Sequence, residues 1–293
     1  MAETAGTADA AGGAPDGILV RFWGVRGSIA TPGPASARYG GNTSCIEVRC
    51  GGRLLIFDAG TGIRLLGEAL QAGELADGTP LDADLFLTHT HYDHVGGLPF
   101  FTPAYDPHNR LILWEGHLGP ERTLQQVLDQ LMSAPLFPVP VNLIETSCRY
   151  RKFTAGDTLE PRPGIRIRTA PLNHPNNATG YRIEHGGRSV CIVTDTEHRR
   201  GGPDPRVVEL VRGADLMIYD STYTDAEYER HVGWGHSTWQ EACRVADAAG
   251  VARTVLFHHD PTHNDQTLDE IGTAAEAMRP GTLLAAEGMT LTL

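Results

Sequence analysis

Leu85-Phe86-Leu87-Thr88-His89-Thr90-His91-Tyr92-Asp93-His94-Val95-Gly96-Gly97 is the stretch around which the chain is organised. Leu85 to Thr88 are apolar or β-favouring and predict a short strand buried on both faces. The imidazoles begin where that strand ends. His89 and His91 are two residues apart, so in extended chain they point to one side. Asp93 and His94 follow in a turn and can address a second point nearby. Gly96-Gly97 lets the backbone turn away sharply. Two nitrogens for one cation, and a carboxylate with a nitrogen for another, are donor types that borderline metals such as zinc accept. Ordinary turn polarity does not explain four such side chains between positions 89 and 94.

The pattern His-x-His-x-Asp-His resembles the signature of the metallo-β-lactamase fold superfamily, and the resemblance extends along most of the chain. It implies an α/β protein built as a four-layer αββα sandwich of mixed sheets, with two divalent cations at the site. Further ligands match in order and local context. His174 follows an apolar strand and precedes Pro175, Asp195 ends the run 191–194, and His258 ends the buried strand 254–257. The resemblance then groups His89, His91 and His174 on one cation, and Asp93, His94 and His258 on the other. The Asp195 carboxylate lies between, since a carboxylate can bridge metals about 3.5–4 Å apart. His259 is the alternative to His258, or a substrate contact, because neighbouring side chains point apart. Zinc is the expected metal, and manganese or iron suit the same donors. Asp58, at the end of a strand, reads either as a carboxylate that orients a ligand histidine or as a cap.

A second stretch, Gly235-His236-Ser237-Thr238-Trp239-Gln240-Glu241, narrows the chemistry. Ser237 or Thr238 can cap the helix that follows, with Glu241 placed for a capping box with Thr238. That leaves His236 unexplained. The segment 236–260 looks like the corresponding part of the ribonuclease Z and phosphonate-pathway phosphodiesterase branch. There a histidine works with an upstream carboxylate to protonate the leaving oxygen. The carboxylate here is Asp220, where ribonuclease Z has a glutamate, and this departure leaves the proton path open. The expectation is a binuclear metal-dependent phosphodiesterase, with Asp93, His236 and Asp220 catalytic and a small phosphodiester as substrate, such as a cyclic nucleotide or cyclic ribose phosphate. Arg26, Asn42, His259 and His263 are the expected substrate contacts. The alternatives are another hydrolase of this fold acting on a lactone, thioester or lactam, an RNA 3′-end processing nuclease, or a metal-binding sensor without turnover.

Composition bounds the rest. The 293 residues carry 24 Lys and Arg against 36 Asp and Glu, a formal charge of −12. This argues against a grip on long nucleic acid by general electrostatics. Arg149-Tyr150-Arg151-Lys152 is the one local basic cluster and reads as a solvated strand edge. No apolar run approaches the roughly 18 residues of a membrane span. The start of the chain lacks the basic and apolar regions of a secretory signal, so residues 1–16 are expected to be a disordered tail and 17–293 a single hydrolase domain. The five cysteines have no C-x-x-C spacing and suit a reduced, cytoplasmic protein. The apolar, proline-rich loop 134–140 makes a homodimer reasonable. Periodicity predicts strands over 17–23 and 282–293, a hairpin at Gly51-Gly52, and helices over 63–72, 207–212, 238–249 and 266–278. A further helix carries Leu124, Val127, Leu128 and Leu131, with Pro120 in its first turn.

Overall fold

The structure is a computed structural model that describes residues 17–199 and 201–293; the tail expected over 1–16 lies outside the described residues. One sheet contains β1 (Ile18–Gly24), β2 (Cys45–Cys50), β3 (Arg53–Phe57), β4 (Asp82–Leu87), β5 (Arg110–Glu115) and β6 (Cys148–Lys152). The other contains β7 (Thr158–Arg162), β8 (Ile165–Leu172), β9 (Ala178–His185), β10 (Arg188–Val193), β11 (Leu216–Asp220), β12 (Arg253–Phe257) and β13 (Thr282–Leu284). A last strand, β14 (Thr290–Thr292), returns to the first sheet and pairs with β1. The orders are β14-β1-β2-β3-β4-β5-β6 and β13-β12-β11-β10-β9-β8-β7. Each sheet is antiparallel in one half and parallel in the other. Tight hairpins at Gly51-Gly52 and Gly186-Gly187 put both central residues at positive φ, which glycine adopts at no steric cost.

The two-residue period of the strands divides the core into layers. On β3, Leu55 and Phe57 face the second sheet and meet Ile183, Val190, Ile192 and Ile218 there. Leu54 and Ile56 face the other way, onto α1 (Gly62–Ala72). The short α2 (Tyr92–Val95) follows β4, and α3 (Leu124–Leu131) joins α1 in covering the first sheet. Cys191 and Val193 of β10 face α4 (Pro205–Val211), α6 (Trp239–Ala249) and α7 (Asp265–Met278), while α5 (Asp225–Tyr228) lies in the connection between β11 and α6. Helices, two sheets and helices again make the expected αββα arrangement. All five cysteines are buried and unpaired.

The turn expected at Asp93 and His94 is a single helical one, α2. Several local expectations are corrected. Pro120 precedes α3, whose start is fixed instead by a capping box between Thr123 and Gln126. Thr238 does cap α6 by accepting from the Glu241 amide, but the Glu241 carboxylate pairs with Arg244 and the box stays half closed. The single strand expected over 282–293 is two strands, β13 and β14, in opposite sheets. The chain turns between them at Gly288, which has a φ of 81°. The basic cluster at 149–152 forms most of β6, the edge strand of its sheet.

Candidate metal centre

The candidate residues converge because they leave the strands at one end of the sandwich. Asp58 follows β3 and His89 follows β4. His174 follows β8, Asp195 follows β10, Asp220 closes β11, and His258 follows β12. Asp58, Asp195 and His258 all have φ near 60°. Residues with a Cβ rarely take that conformation, and it tends to persist where surrounding structure holds a side chain at a functional point. Gly27 runs so close that a Cβ added to it would lie 2.3 Å from the His258 ring. The same loop carries Ser28, whose amide donates to Asp93 Oδ2 at 2.7 Å.

Four overlapping donor groups result among the described residues, and His236 enters two of them, with His174 and Asp195 and with Asp220 and His258. The other two match the expected ligand sets. His89, His91 and His174 make one of these, and Asp93, His94, Asp195 and His258 make the other, with the donor atoms of each group within 4.8 Å of one another. Asp195 spans both. Its Oδ1 lies 3.7 Å from His89 Nε2 and 3.8 Å from His174 Nε2, while its Oδ2 lies 3.2 Å from His94 Nε2 and 3.4 Å from His258 Nε2. Asp93 Oδ2 is 3.3 Å from each of the latter two nitrogens.

The remaining ring nitrogens of four of the five histidines suit cations; the fifth, His91, has its Nε2 3.4 Å from Asn176 Nδ2 and its Nδ1 3.1 Å from His174 Nε2. A histidine that binds metal through one nitrogen has the other held by a hydrogen-bond acceptor, which fixes its orientation and tautomer. His94 Nδ1 meets Asp58 Oδ2 at 2.7 Å, and His258 Nδ1 meets the Thr222 hydroxyl at 3.0 Å. His174 Nδ1 donates to the Gly235 carbonyl at 2.8 Å, and His89 Nδ1 meets the Thr88 hydroxyl at 3.1 Å. In all four rings Nε2 is thereby turned inward, and the buried Nε2 of His89 has no hydrogen-bond partner. Asp58 therefore orients a histidine rather than capping a helix; it also accepts from Ser44 and from the Thr88 amide and hydroxyl. Asp58→Asn, which tolerates the positive φ and can still accept from Thr88, is expected to weaken metal binding by about 10–100-fold, as read by competition with a chromogenic chelator.

The carboxylates and imidazoles of the cluster shift one another. Burial works to lower His94, but Asp195, Asp93 and Asp58 outweigh it and hold the ring well above the usual imidazole range. Burial works to raise the Asp93 and Asp195 carboxyls, but the His94 and His258 imidazoles outweigh it and hold both well below the usual carboxylate range. Burial, reinforced by His94, pushes His89 well down, so it offers a free lone pair. His236 stands beside the centre, with Nδ1 3.1 Å from Asp220 Oδ2 and 3.7 Å from Asp195 Oδ1. Burial would lower its pKa, but the Asp220 carboxylate prevails and raises it to about 9. Asp220 is fully buried and also accepts from the Thr196 amide and from Thr222.

The four expected substrate contacts make hydrogen bonds within the protein, while the buried Arg26 Nη2 and His263 Nδ1 have no hydrogen-bond partner among the described residues. Arg26 is fully buried, and its guanidinium donates to the carbonyls of Gly40, Asp260 and His263, which joins two loops. Asn42 is tied through its amide and side chain to Glu287. His259 turns away from His258 and meets the Ala285 carbonyl through Nε2, while His263 pairs with Glu227. All four are engaged with the protein itself. Sequence reasoning missed Thr88, Thr222 and Ser28. The two threonines adjoin strand ends that carry site residues, His89 after β4 and Asp220 at the end of β11, a local signal that could have found them; Ser28 has no such signal.

Residues 53–259 match the family model described as the beta-lactamase superfamily domain. A ribonuclease Z of Haloarcula marismortui is 27% identical over 93% of this chain and 96% of its own length. Among solved structures, the metallo-beta-lactamase fold protein YhfI of Bacillus subtilis superposes with a TM-score of 0.69 at 19% identity, covering 95% of this chain and all of that one. A diphosphatase from the PhnP family superposes with a TM-score of 0.66 at 19% identity, covering 94% and 97%. Among the described residues no helix is long and apolar enough to cross a membrane. The fold, the paired His and Asp clusters that suit divalent cations, and the match over most of the chain lead to one conclusion: this chain belongs to the beta-lactamase superfamily and is a metal-dependent hydrolase.

Proposed function

We propose that the protein is a phosphodiesterase that uses two divalent cations, zinc in the first instance, to hydrolyse a small phosphodiester such as a cyclic nucleotide or cyclic ribose phosphate. The observation that carries this reading is the His236–Asp220 pair, set 3.7 Å from the carboxylate that joins the two donor groups. An acid at that place serves a leaving alkoxide. His89, His91 and His174 would hold one cation and Asp93, His94 and His258 the other, with Asp195 shared. When bound, such a pair supplies Lewis acidity to the phosphate group and a water acidic enough to attack phosphorus near neutral pH.

The protein's own groups do the remainder. Asp93, fixed by the Ser28 amide, helps to orient the attacking water. As the bond from phosphorus to the leaving oxygen breaks, its electron pair stays on that oxygen, and His236 Nε2 gives it a proton. Asp220 holds the other ring nitrogen and stabilises the imidazolium before transfer. The neutral imidazole is reprotonated from solvent. No covalent protein intermediate is required.

A small substrate suits a chain of −12 formal charge. Exposed aromatic side chains also adjoin the site in sequence, Tyr92 between His91 and Asp93 and Trp234 just before Gly235, where they can meet the organic part of an ester. A second reading, RNA 3′-end processing, is favoured by the ribonuclease Z relative that aligns over 96% of its length. The test is hydrolysis of bis(4-nitrophenyl) phosphate by protein loaded with zinc, manganese or iron. Turnover is expected to need the metal, to stop with a chelator, and to fall by about a thousandfold or more in Asp93→Ala. Cyclic nucleotides and a precursor transfer RNA then separate the two readings. No turnover by protein holding two metals would overturn both and leave lactones and thioesters as the next substrates to try.

A further inference from the structure

We infer that Glu197 is a positioning residue for His236, acting as a carboxylate clamp on the backbone of the loop that delivers it. The inference rests on the reading of His236 as proton donor. Glu197 Oε1 accepts from the Gly233 amide at 2.8 Å and from the Tyr228 hydroxyl at 3.0 Å, and Oε2 accepts from the Gly235 amide at 2.8 Å. One side chain thus holds two alternate amides of the segment that ends at His236. That segment lies between α5 and α6, outside any sheet, and Gly233 and Gly235 have φ of 90° and 87°. No ladder of strand hydrogen bonds fixes it, so its path depends on side-chain contacts of this kind.

The clamp is itself anchored to the metal centre's framework. Glu197 follows Asp195 by two residues. Its amide donates to the Asn173 carbonyl at 2.7 Å, and its carbonyl accepts from Asn173 Nδ2 at 2.8 Å. Asn173 precedes His174, whose Nδ1 donates to the Gly235 carbonyl at 2.8 Å. Gly235 is therefore gripped on both sides, by Glu197 at its N–H and by His174 at its C=O. The fit is close enough that an added Cβ would lie 2.3 Å from His174 Nδ1 and from Pro175 Cδ. Through this arrangement Glu197 sets the distance between the proton donor and the two loops that carry His174 and Asp195. A charged acceptor is suited to the task, since hydrogen bonds from amides to a carboxylate are roughly twice as strong as neutral ones.

Glu197→Gln keeps the size and replaces one acceptor oxygen by an NH2 group that faces backbone donors. The experiment uses the full chain loaded with two metals. It compares phosphodiesters with a 4-nitrophenoxide and an alkoxide leaving group, and follows deuterium exchange of the 232–237 peptide. Glu197→Gln is expected to lose about 10–100-fold more kcat on the alkoxide ester than on the nitrophenyl ester, as misplacement of a reacting group would give. It is expected to keep both metals and to exchange the Gly233 and Gly235 amides faster. Combined with His236→Ala, it should add little further loss. Glu197→Asp keeps the charge but is one methylene shorter, and should fall between wild type and Gln; it serves as the test if the Gln variant does not fold. Equal losses on both esters, loss of metal, or unchanged amide exchange would overturn the clamp. If His236→Ala itself shows no leaving-group dependence, the proton-donor reading fails, whereas the exchange data still decide whether Glu197 holds the loop.

Discussion

Asp195→Asn is expected to abolish the paired site and with it turnover. The substitution keeps size and tolerates the φ of 59° at this position, since Asn, like Asp, enters the left-handed region more readily than most residues. What it removes is the second anionic oxygen. In the wild type, Oδ1 faces His89 and His174 and Oδ2 faces His94 and His258. An amide can present oxygen to one of those groups only, and its NH2 would meet the other as a donor against a cation. Metal analysis is expected to fall from two ions per chain to one or fewer. Turnover is expected to fall by about 10³–10⁴-fold, equivalent to about 4–5.5 kcal/mol of barrier. The thermal shift on adding zinc should shrink with it, because a ligand that binds the native state at a thousandfold excess over Kd contributes about 4 kcal/mol. Two ions per chain with undiminished turnover would remove Asp195 from the centre of the site.

The parts of this site that were legible in the sequence are those fixed by local geometry. His89, His91, Asp93 and His94 could be grouped because a strand end and the turn after it determine their directions within a few residues. His174, Asp195 and His258 could be added because each follows a strand whose apolar run is visible and each matches, in order and local context, the pattern that the family resemblance implies. Contacts made across the fold were out of reach. Asp58 stayed open between two roles because its partner, His94, lies 36 residues away and on another element. Arg26 reads as a substrate contact, yet it is among the largest fully buried side chains, and the carbonyls of Gly40, Asp260 and His263 take its Nε and Nη1 donors. Nothing near it in the sequence announces those carbonyls. The C-terminal segment was misread for a related reason. Its alternation suits a strand throughout, and only the competition between two sheet edges decides that β13 joins one and β14 the other.

The proton donor gives the other large expected effect. A 4-nitrophenolate leaves without help, because its negative charge is already spread over the ring and nitro group. An alkoxide has no such relief and needs a proton as the bond to phosphorus breaks. His236→Ala should therefore cost about 10²–10⁴-fold in kcat on an alkyl phosphodiester, the usual range for a general acid, and less than about tenfold on the nitrophenyl ester. Metal content should stay at two per chain if His236 acts as an acid and not as a ligand, since the groups of His89, His91 and His174 and of Asp93, His94, Asp195 and His258 do not include it. Loss of a metal would instead make His236 a ligand, as its place in the groups with His174 and Asp195 and with Asp220 and His258 allows. Asp220 variants should move in the same direction but affect more than proton transfer. Asp220 accepts from the Thr196 and Thr222 amides and from the Thr222 hydroxyl, and that hydroxyl meets His258 Nδ1. Replacing Asp220 thus also disturbs a candidate ligand, and a fall in metal affinity should accompany the fall in rate. The contrast between the two positions separates their roles. A variant that loses only its action on poor leaving groups has lost an acid, whereas one that also loses metal has lost the framework that holds the acid and the cations in register. If His236→Ala lowered both esters equally, with both metals retained, His236 would be a binding group for phosphate and the leaving oxygen would take its proton from elsewhere.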